Sequence, residues 1–186
     1  MIRAFLAIRP ADEVIESLVE MQSTLADAGA DVRWVAREAL HLTVHFLGNV
    51  GEPELPEIER GLREGLATVA PFDMGCRGLG VFPNQKRPRI VWVGLSGDGL
   101  ARLAESVETV LSPLGFPPEE RDFTPHITLG RMRSARGAEG LVRALKSHAE
   151  LPFGTSRVEQ ATLYRSQLRS DGSVYTPLVT FPLSGA

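Results

Sequence analysis

The stretch Leu40-His41-Leu42-Thr43-Val44-His45-Phe46-Leu47 recurs in outline in the second half of the chain as Phe123-Thr124-Pro125-His126-Ile127-Thr128-Leu129-Gly130. Each copy holds a His-apolar-Thr triplet inside an apolar run, the pattern of a strand. Side chains alternate between the faces of a strand, so His41 and Thr43 share one face, and Leu42, Val44 and Phe46 the other. By the same alternation His126 and Thr128 point together, away from Ile127 and Leu129. Each triplet therefore sets an imidazole beside a hydroxyl, above a strand anchored by its apolar reverse. Two such strands facing one another would gather two imidazoles and two hydroxyls around one small volume.

Around the triplets the pattern reads as alternating strands and helices. Arg3 to Arg9 forms a first strand, and a helix begins at Pro10-Ala11-Asp12 with Val14, Ile15, Leu18, Met21 and Leu25 at helical spacing, ending near Gly29. Val32 to Val35 is extended, and Leu40 to Leu47 is a strand stopped by Gly48. Pro53 opens a helix with Leu55, Ile58, Leu62 and Leu66 on one face. Phe72 to Phe82 and Arg89 to Leu95 are strands joined through Pro83-Asn84-Gln85-Lys86. A helix near Leu100 to Leu114 precedes a strand from Phe123 to Gly130, and another helix runs from about Ala138 to His148. Arg157 to Leu168 and Ser173 to Leu183 form a long hairpin about Asp171-Gly172, a dipeptide suited to a type I′ turn. Each triplet thus follows a helix and loop and precedes a helix, the order expected of a duplicated α+β unit.

The 186 residues suit one compact unit or two small lobes sharing a core. With 43% hydrophobic and 23% charged residues, a core forms without disulfides or a structural metal. The single cysteine, Cys76, fits a reducing cytoplasm and reads as a small strand residue, not a nucleophile. The N-terminal apolar run is too short for a signal peptide, and no segment reaches the roughly 18 apolar residues of a membrane span. A net charge of −3 argues against a protein that tracks long nucleic acid, since phosphate neutralisation supplies most of that affinity. A nucleic-acid substrate would be gripped as a short piece or an end. The local clusters Lys86-Arg87-Pro88-Arg89 and Arg131-Met132-Arg133 with Arg136 read equally as solvated tips or as substrate contacts.

Paired histidines suit the opening of a cyclic phosphodiester. Water must lose a proton on one side of phosphorus while the leaving oxygen gains one on the other. Histidine titrates near pH ~6.5, so a pair can hold one neutral base and one protonated acid. Threonine hydroxyls and a nearby arginine would bind the non-bridging oxygens as charge builds. Such a scheme needs no metal or cofactor.

The stretches Arg3-Ala4-Phe5-Leu6-Ala7-Ile8, Arg33-Trp34-Val35, His41 to Gly48, Gly78 to Pro83, Arg121 to Arg131 and Phe181-Pro182-Leu183 occur in an order that resembles the 2H phosphoesterase family. The similarity is to its bacterial and archaeal RNA 2′,3′-cyclic phosphodiesterase branch, historically the 2′-5′ RNA ligase family, and covers almost the whole chain. The resemblance implies an α+β fold spanning residues 1–186 as one bilobal catalytic domain, a duplicated unit with two antiparallel sheets facing a central cleft and helices on the outer faces. It implies hydrolysis of an RNA-terminal 2′,3′-cyclic phosphate to a 2′-phosphate, with RNA 3′ ends or short oligonucleotides as partners; the chain is expected to act as a monomer. It assigns His41 to the 3′ leaving oxygen, His126 to water, and Thr43, Thr128 and Arg131 to the phosphate.

Two residues fit less simply. His45, at i+4 from His41, falls on the same face by alternation and reads as a groove wall, with a three-histidine metal site as the competing assignment. Strict alternation turns Arg131 away from His126 unless the strand twists or ends at Gly130. Competing functions are RNA 2′-5′ ligation, action on a small cyclic nucleotide or ADP-ribose cyclic phosphate, and binding of RNA ends without turnover.

Overall fold

The computed structural model describes residues 1–118, 122–169 and 172–186. Among these residues the order is β1 (Ile2–Ile8), α1 (Asp12–Ala26), β2 (Val32–Trp34), β3 (Leu42–Val50), α2 (Leu55–Leu66), β4 (Phe72–Phe82), β5 (Ile90–Ser96), α3 (Asp98–Leu111), β6 (His126–Met132), α4 (Ala138–Ser147), β7 (Pro152–Val158), β8 (Gln160–Arg169) and β9 (Gly172–Pro182). The strands run β7-β4-β5-β6-β3-β1-β8-β9, with β2 on β6.

Two apolar cores divide this sheet. One lies under β3, β1, β8 and β9 and is closed by Ile58, Leu62 and Leu66 of α2 and Leu103, Val107 and Leu111 of α3. The other lies under β4, β5 and β6 and is closed by Val14, Ile15, Leu18 and Leu25 of α1 with Leu141 and Leu145 of α4. Each helix presents its buried residues at the i, i+3, i+4 spacing that makes one apolar stripe. The helices cover one face of each half and leave the other face open.

Between the halves, β3 and β6 are joined by a single antiparallel bridge, Leu42 to Ile127. Past that bridge β6 turns to β2, pairing Gly130 with Trp34 and Met132 with Val32. The sheet is thus forked at β6, and the fork opens a groove.

Several boundaries differ from the sequence reading. β3 runs through Gly48, which takes φ 72° and rejoins the ladder opposite Ala4. The segment read as one strand from Arg157 to Leu168 is two. β7 pairs with β4 at one edge of the sheet, the chain breaks at Glu159, and β8 pairs with β1 in the other half. Apolar residues fall at Val158 before the break and at Ala161 and Leu163 after it, so the paired polar residues Glu159-Gln160 shift the alternation by one, a mark the strand reading passed over. The strand expected from Phe123 begins only at His126. The expected turn at Asp171-Gly172 involves Asp171, which lies outside the described residues.

Candidate active site

The bridging pair Leu42 and Ile127 is the central residue of each His-x-Thr triplet. Antiparallel register then sets His41 across from Thr128 and Thr43 across from His126. Leu42 and Ile127 are 1% and 0% exposed and belong to different cores, so both backs are anchored and the four polar side chains face the groove. Imidazole and hydroxyl alternate around a small quadrilateral. Its diagonal, His41 to His126, is an i, j±2 pair, which sheet geometry spaces roughly 7–8 Å apart. A phosphate fits between two groups so placed.

Both rings are held in the same way. His41 Nδ1 lies 2.7 Å from the Ala39 carbonyl, and His126 Nδ1 lies 2.7 Å from the Thr124 carbonyl. A carbonyl only accepts, so each Nδ1 carries a proton and each Nε2 is the nitrogen free to exchange one. Nε2 of His41 is 3.0 Å from Thr43 Oγ1. With the ring neutral the hydroxyl donates to Nε2, and with the ring charged the direction reverses. Burial pushes the His41 pKa below the usual histidine range; the Ala39 carbonyl opposes that shift and the positive charge of His126 adds to it.

Bulges settle the two awkward residues. In β3 against β1, Thr43 pairs with Ala7 and His45 with Leu6, which leaves Val44 without a partner in that ladder. One extra residue flips the parity of everything beyond it. His45 therefore leaves the groove: it is 7% exposed, and its Nε2–H donates to the Phe116 carbonyl at 3.1 Å. This corrects the expectation of a groove-wall residue and takes His45 away from any three-histidine cluster. Leu47 is unpaired in the same ladder, and Phe46, expected on the apolar face, is half-exposed beside Phe5 at 6.0 Å between ring centroids. In β6 against β5, Thr128 pairs with Trp92 and Gly130 with Val91, so Leu129 is the extra residue. Arg131, opposite Ile90, consequently shares the face of His126 and Thr128 while the strand continues to Met132. Neither a strand end nor a free twist is required.

Aromatic rings wall both histidines, and the sequence reading does not single them out. Phe5 and Tyr175 lie 5.0 and 5.2 Å from the His41 ring, the tyrosine edge-on at 89°. Phe5 also stacks on Tyr164 at 5.5 Å. A hollow beside His41 is lined by Phe5, Arg9, Glu38, Tyr164 and Tyr175. Phe82 stands edge-on to His126 at 5.1 Å and leans on Trp92 at 5.1 Å. The available signal is position: Phe5 and Phe82 each lie on a strand in the same half of the sheet as the triplet they flank. The two tyrosines sit in the distant C-terminal hairpin, where one-dimensional spacing gives no hint of His41.

Comparison with known proteins finds a family, a relative and two solved structures that this chain resembles. A family model described as LigT like Phosphoesterase matches the chain twice, over residues 8–92 and 93–175. A protein of Methanothermobacter thermautotrophicus named RNA 2′,3′-cyclic phosphodiesterase is 36% identical over 183 residues, covering 98% of this chain and 99% of its own length. Among solved structures, TT0787 of Thermus thermophilus superposes with a TM-score of 0.84 at 33% identity, over 98% of each chain. Escherichia coli LigT, crystallised with 3′-AMP, superposes with a TM-score of 0.76 at 26% identity, again over 98% of each chain.

Proposed function

The chain belongs to the LigT-like phosphoesterase family, and from that membership we propose that it hydrolyses the 2′,3′-cyclic phosphate at RNA 3′ ends to a 2′-phosphate. His126 Nε2 takes a proton from water as the water oxygen attacks phosphorus. The bond from phosphorus to O3′ breaks, and His41 Nε2–H delivers a proton to O3′, leaving a free 3′ hydroxyl. The Nδ1–H of each ring stays on its carbonyl throughout, so neither ring tumbles between steps. Thr43, Thr128 and Arg131 bind the non-bridging oxygens, where charge accumulates in the transition state. In the free protein the lowered pKa of His41 favours the neutral ring. The negative charge of the incoming phosphate stabilises the imidazolium that the leaving step requires.

One observation carries this reading: the Leu42 to Ile127 bridge, which puts an imidazole across from a hydroxyl on both sides of one groove. A non-catalytic binder of RNA ends would need anion donors, but not two rings with their Nδ1 pinned on carbonyls so that Nε2 is left to exchange a proton. A single chain supplies both histidines, which supports the monomer as the functional unit. Among the described residues no helix is long and apolar enough to cross a membrane. Burial pushes the Cys76 thiol up to about 12, which leaves it unreactive near neutral pH.

The test is product analysis on a short oligonucleotide ending in 2′,3′-cyclic phosphate, read by phosphorus NMR and mass. The expected product carries a 2′-phosphate and a free 3′ hydroxyl. A 3′-phosphate would reverse the leaving oxygen, and an intact cyclic end would leave only the binding function.

A further inference from the structure

The mechanism does not use Gln22, yet this polar side chain is 7% exposed in the core beneath β6. It sits on α1 among Ile15, Leu18, Met21 and Leu25, where apolar residues fill the rest of the buried stripe. Its Nε2 donates to two carbonyls, Leu129 at 2.8 Å and Val35 at 2.9 Å. The Leu129 carbonyl also accepts the Val35 amide at 2.9 Å. One amide group therefore ties the bulged residue of β6 to the residue that follows β2.

The location matters because Leu129 separates Thr128 from Arg131. The ladder between β5 and β6 has two registers open to it beyond Thr128. With Leu129 as the extra residue, Arg131 faces the groove. Without the bulge, Gly130 would take the groove and Arg131 would turn under the sheet, where α1 and α4 lie. A bulge is a local deformation and persists where its surroundings hold it. We propose that Gln22 is a positioning residue for the phosphate site: its side-chain amide clamps the Leu129 bulge and thereby aims Arg131, with Thr128, at the substrate beside His126. This rests on the proposed function only in naming the ligand as a phosphate ester.

A merely structural glutamine would cost stability and nothing else when replaced. A positioning glutamine acts through Arg131, so its effect vanishes once Arg131 is gone. The experiment compares wild type, Gln22→Met, Arg131→Ala and the double variant on an oligonucleotide 2′,3′-cyclic phosphate. Methionine keeps the length of the side chain and removes both donors. Gln22→Asn serves beside it, since it keeps the amide but is one methylene short of spanning both carbonyls. The expected result is at least a tenfold rise in KM for Gln22→Met with a smaller change in kcat. The double variant should match Arg131→Ala within about twofold. Amide hydrogen exchange across residues 128–132 should accelerate in Gln22→Met and in Gln22→Asn.

Losses that multiply in the double variant would overturn the proposal, as would an unchanged KM with only the melting temperature lowered. Exchange at residues 128–132 does not depend on catalysis. Slow exchange there in both Gln22 variants would overturn the clamp whatever the enzyme does. Activity that survives both His41→Ala and His126→Ala would instead sink the proposed function and leave the exchange result standing.

Discussion

Gly80 on β4 lies directly beneath the Trp92 indole, and a methyl added there tests how tightly the His126 side of the groove is packed. A Cβ built at residue 80 would stand 2.2, 2.5 and 2.7 Å from three atoms of that ring, against 3.4 Å for ordinary contact. In Gly80→Ala the indole must therefore retreat by about 1.2 Å, the difference between contact and the 2.2 Å approach. Hydrogen bonding does not resist this, because Trp92 Nε1 is buried without a partner among the described residues. Its neighbour in the retreat is Phe82, which meets the His126 ring edge-on. His126 cannot simply follow, since Nδ1 is fixed on the Thr124 carbonyl. Misplacing a reacting group by about 1 Å costs up to about 10²-fold, and one intervening ring absorbs part of that. The expected loss in kcat is about 10- to 100-fold. Overpacking of this kind also destabilises by about 1–3 kcal/mol, a few degrees in melting temperature. Steady-state kinetics on a cyclic-phosphate oligonucleotide, with thermal melts in parallel, separate the two effects. Trp92→Leu added to Gly80→Ala removes the clashing ring atoms and should restore most of kcat. A Gly80→Ala protein that melts lower but keeps kcat within twofold would refute the chain of contacts from Gly80 to His126.

Two further expectations concern the histidines. Because burial lowers the His41 pKa and the acid must be protonated to act, kcat/KM should fall as pH rises through a value below ~6.5. The corresponding limb of kcat should lie at higher pH, since bound phosphate favours the imidazolium; coincident limbs in the two profiles would contradict this. Replacing either His41 or His126 by Ala should cost at least ~10²-fold on a ribose cyclic phosphate. On a nitrophenyl phosphodiester, whose leaving group departs without a proton, His41→Ala should recover much of its rate and His126→Ala should not. Rescue of the opposite variant would exchange the two roles.

The sequence displays the histidine-threonine pairs and nearly every helix and strand, because both rest on short-range periodicity. Ile58, Leu62 and Leu66, or Leu103, Val107 and Leu111, announce their helices by spacing alone. What it hides are the two bulges that decide which side chains reach the groove. A bulge is one residue too many relative to a partner strand, so a single strand read by itself cannot show it. Alternation therefore puts His45 on the wrong face, and Arg131 finds its place only by resemblance. The break at Glu159 leaves only a local trace, the consecutive polar pair Glu159-Gln160 that shifts the alternation by one, and nothing in a single strand tells that β7 and β8 pair in opposite halves of the sheet. Gln22 shows only as a polar interruption in the apolar stripe of α1, which spacing alone cannot distinguish from a tolerated exception.

The two units matched by the family model are not the two cores. Residues 8–92 supply β3, α2 and the start of β4 (Phe72, Met74) to one core, and α1, the rest of β4 and β5 to the other. Residues 93–175 supply α3, β8 and Val158 at the end of β7 to the first, and β6, α4 and Phe153 of β7 to the second. The chain passes between cores at β1–α1 and β2–β3, within β4 between Met74 and Cys76, at β5–α3 and α3–β6, and within β7 between Phe153 and Val158. A molecule laced in this way has no place where one cut frees half of the enzyme. Either fragment alone would leave two unfinished apolar surfaces and a single histidine from the pair. It could close them only by trading elements with a second copy, as in a domain-swapped pair.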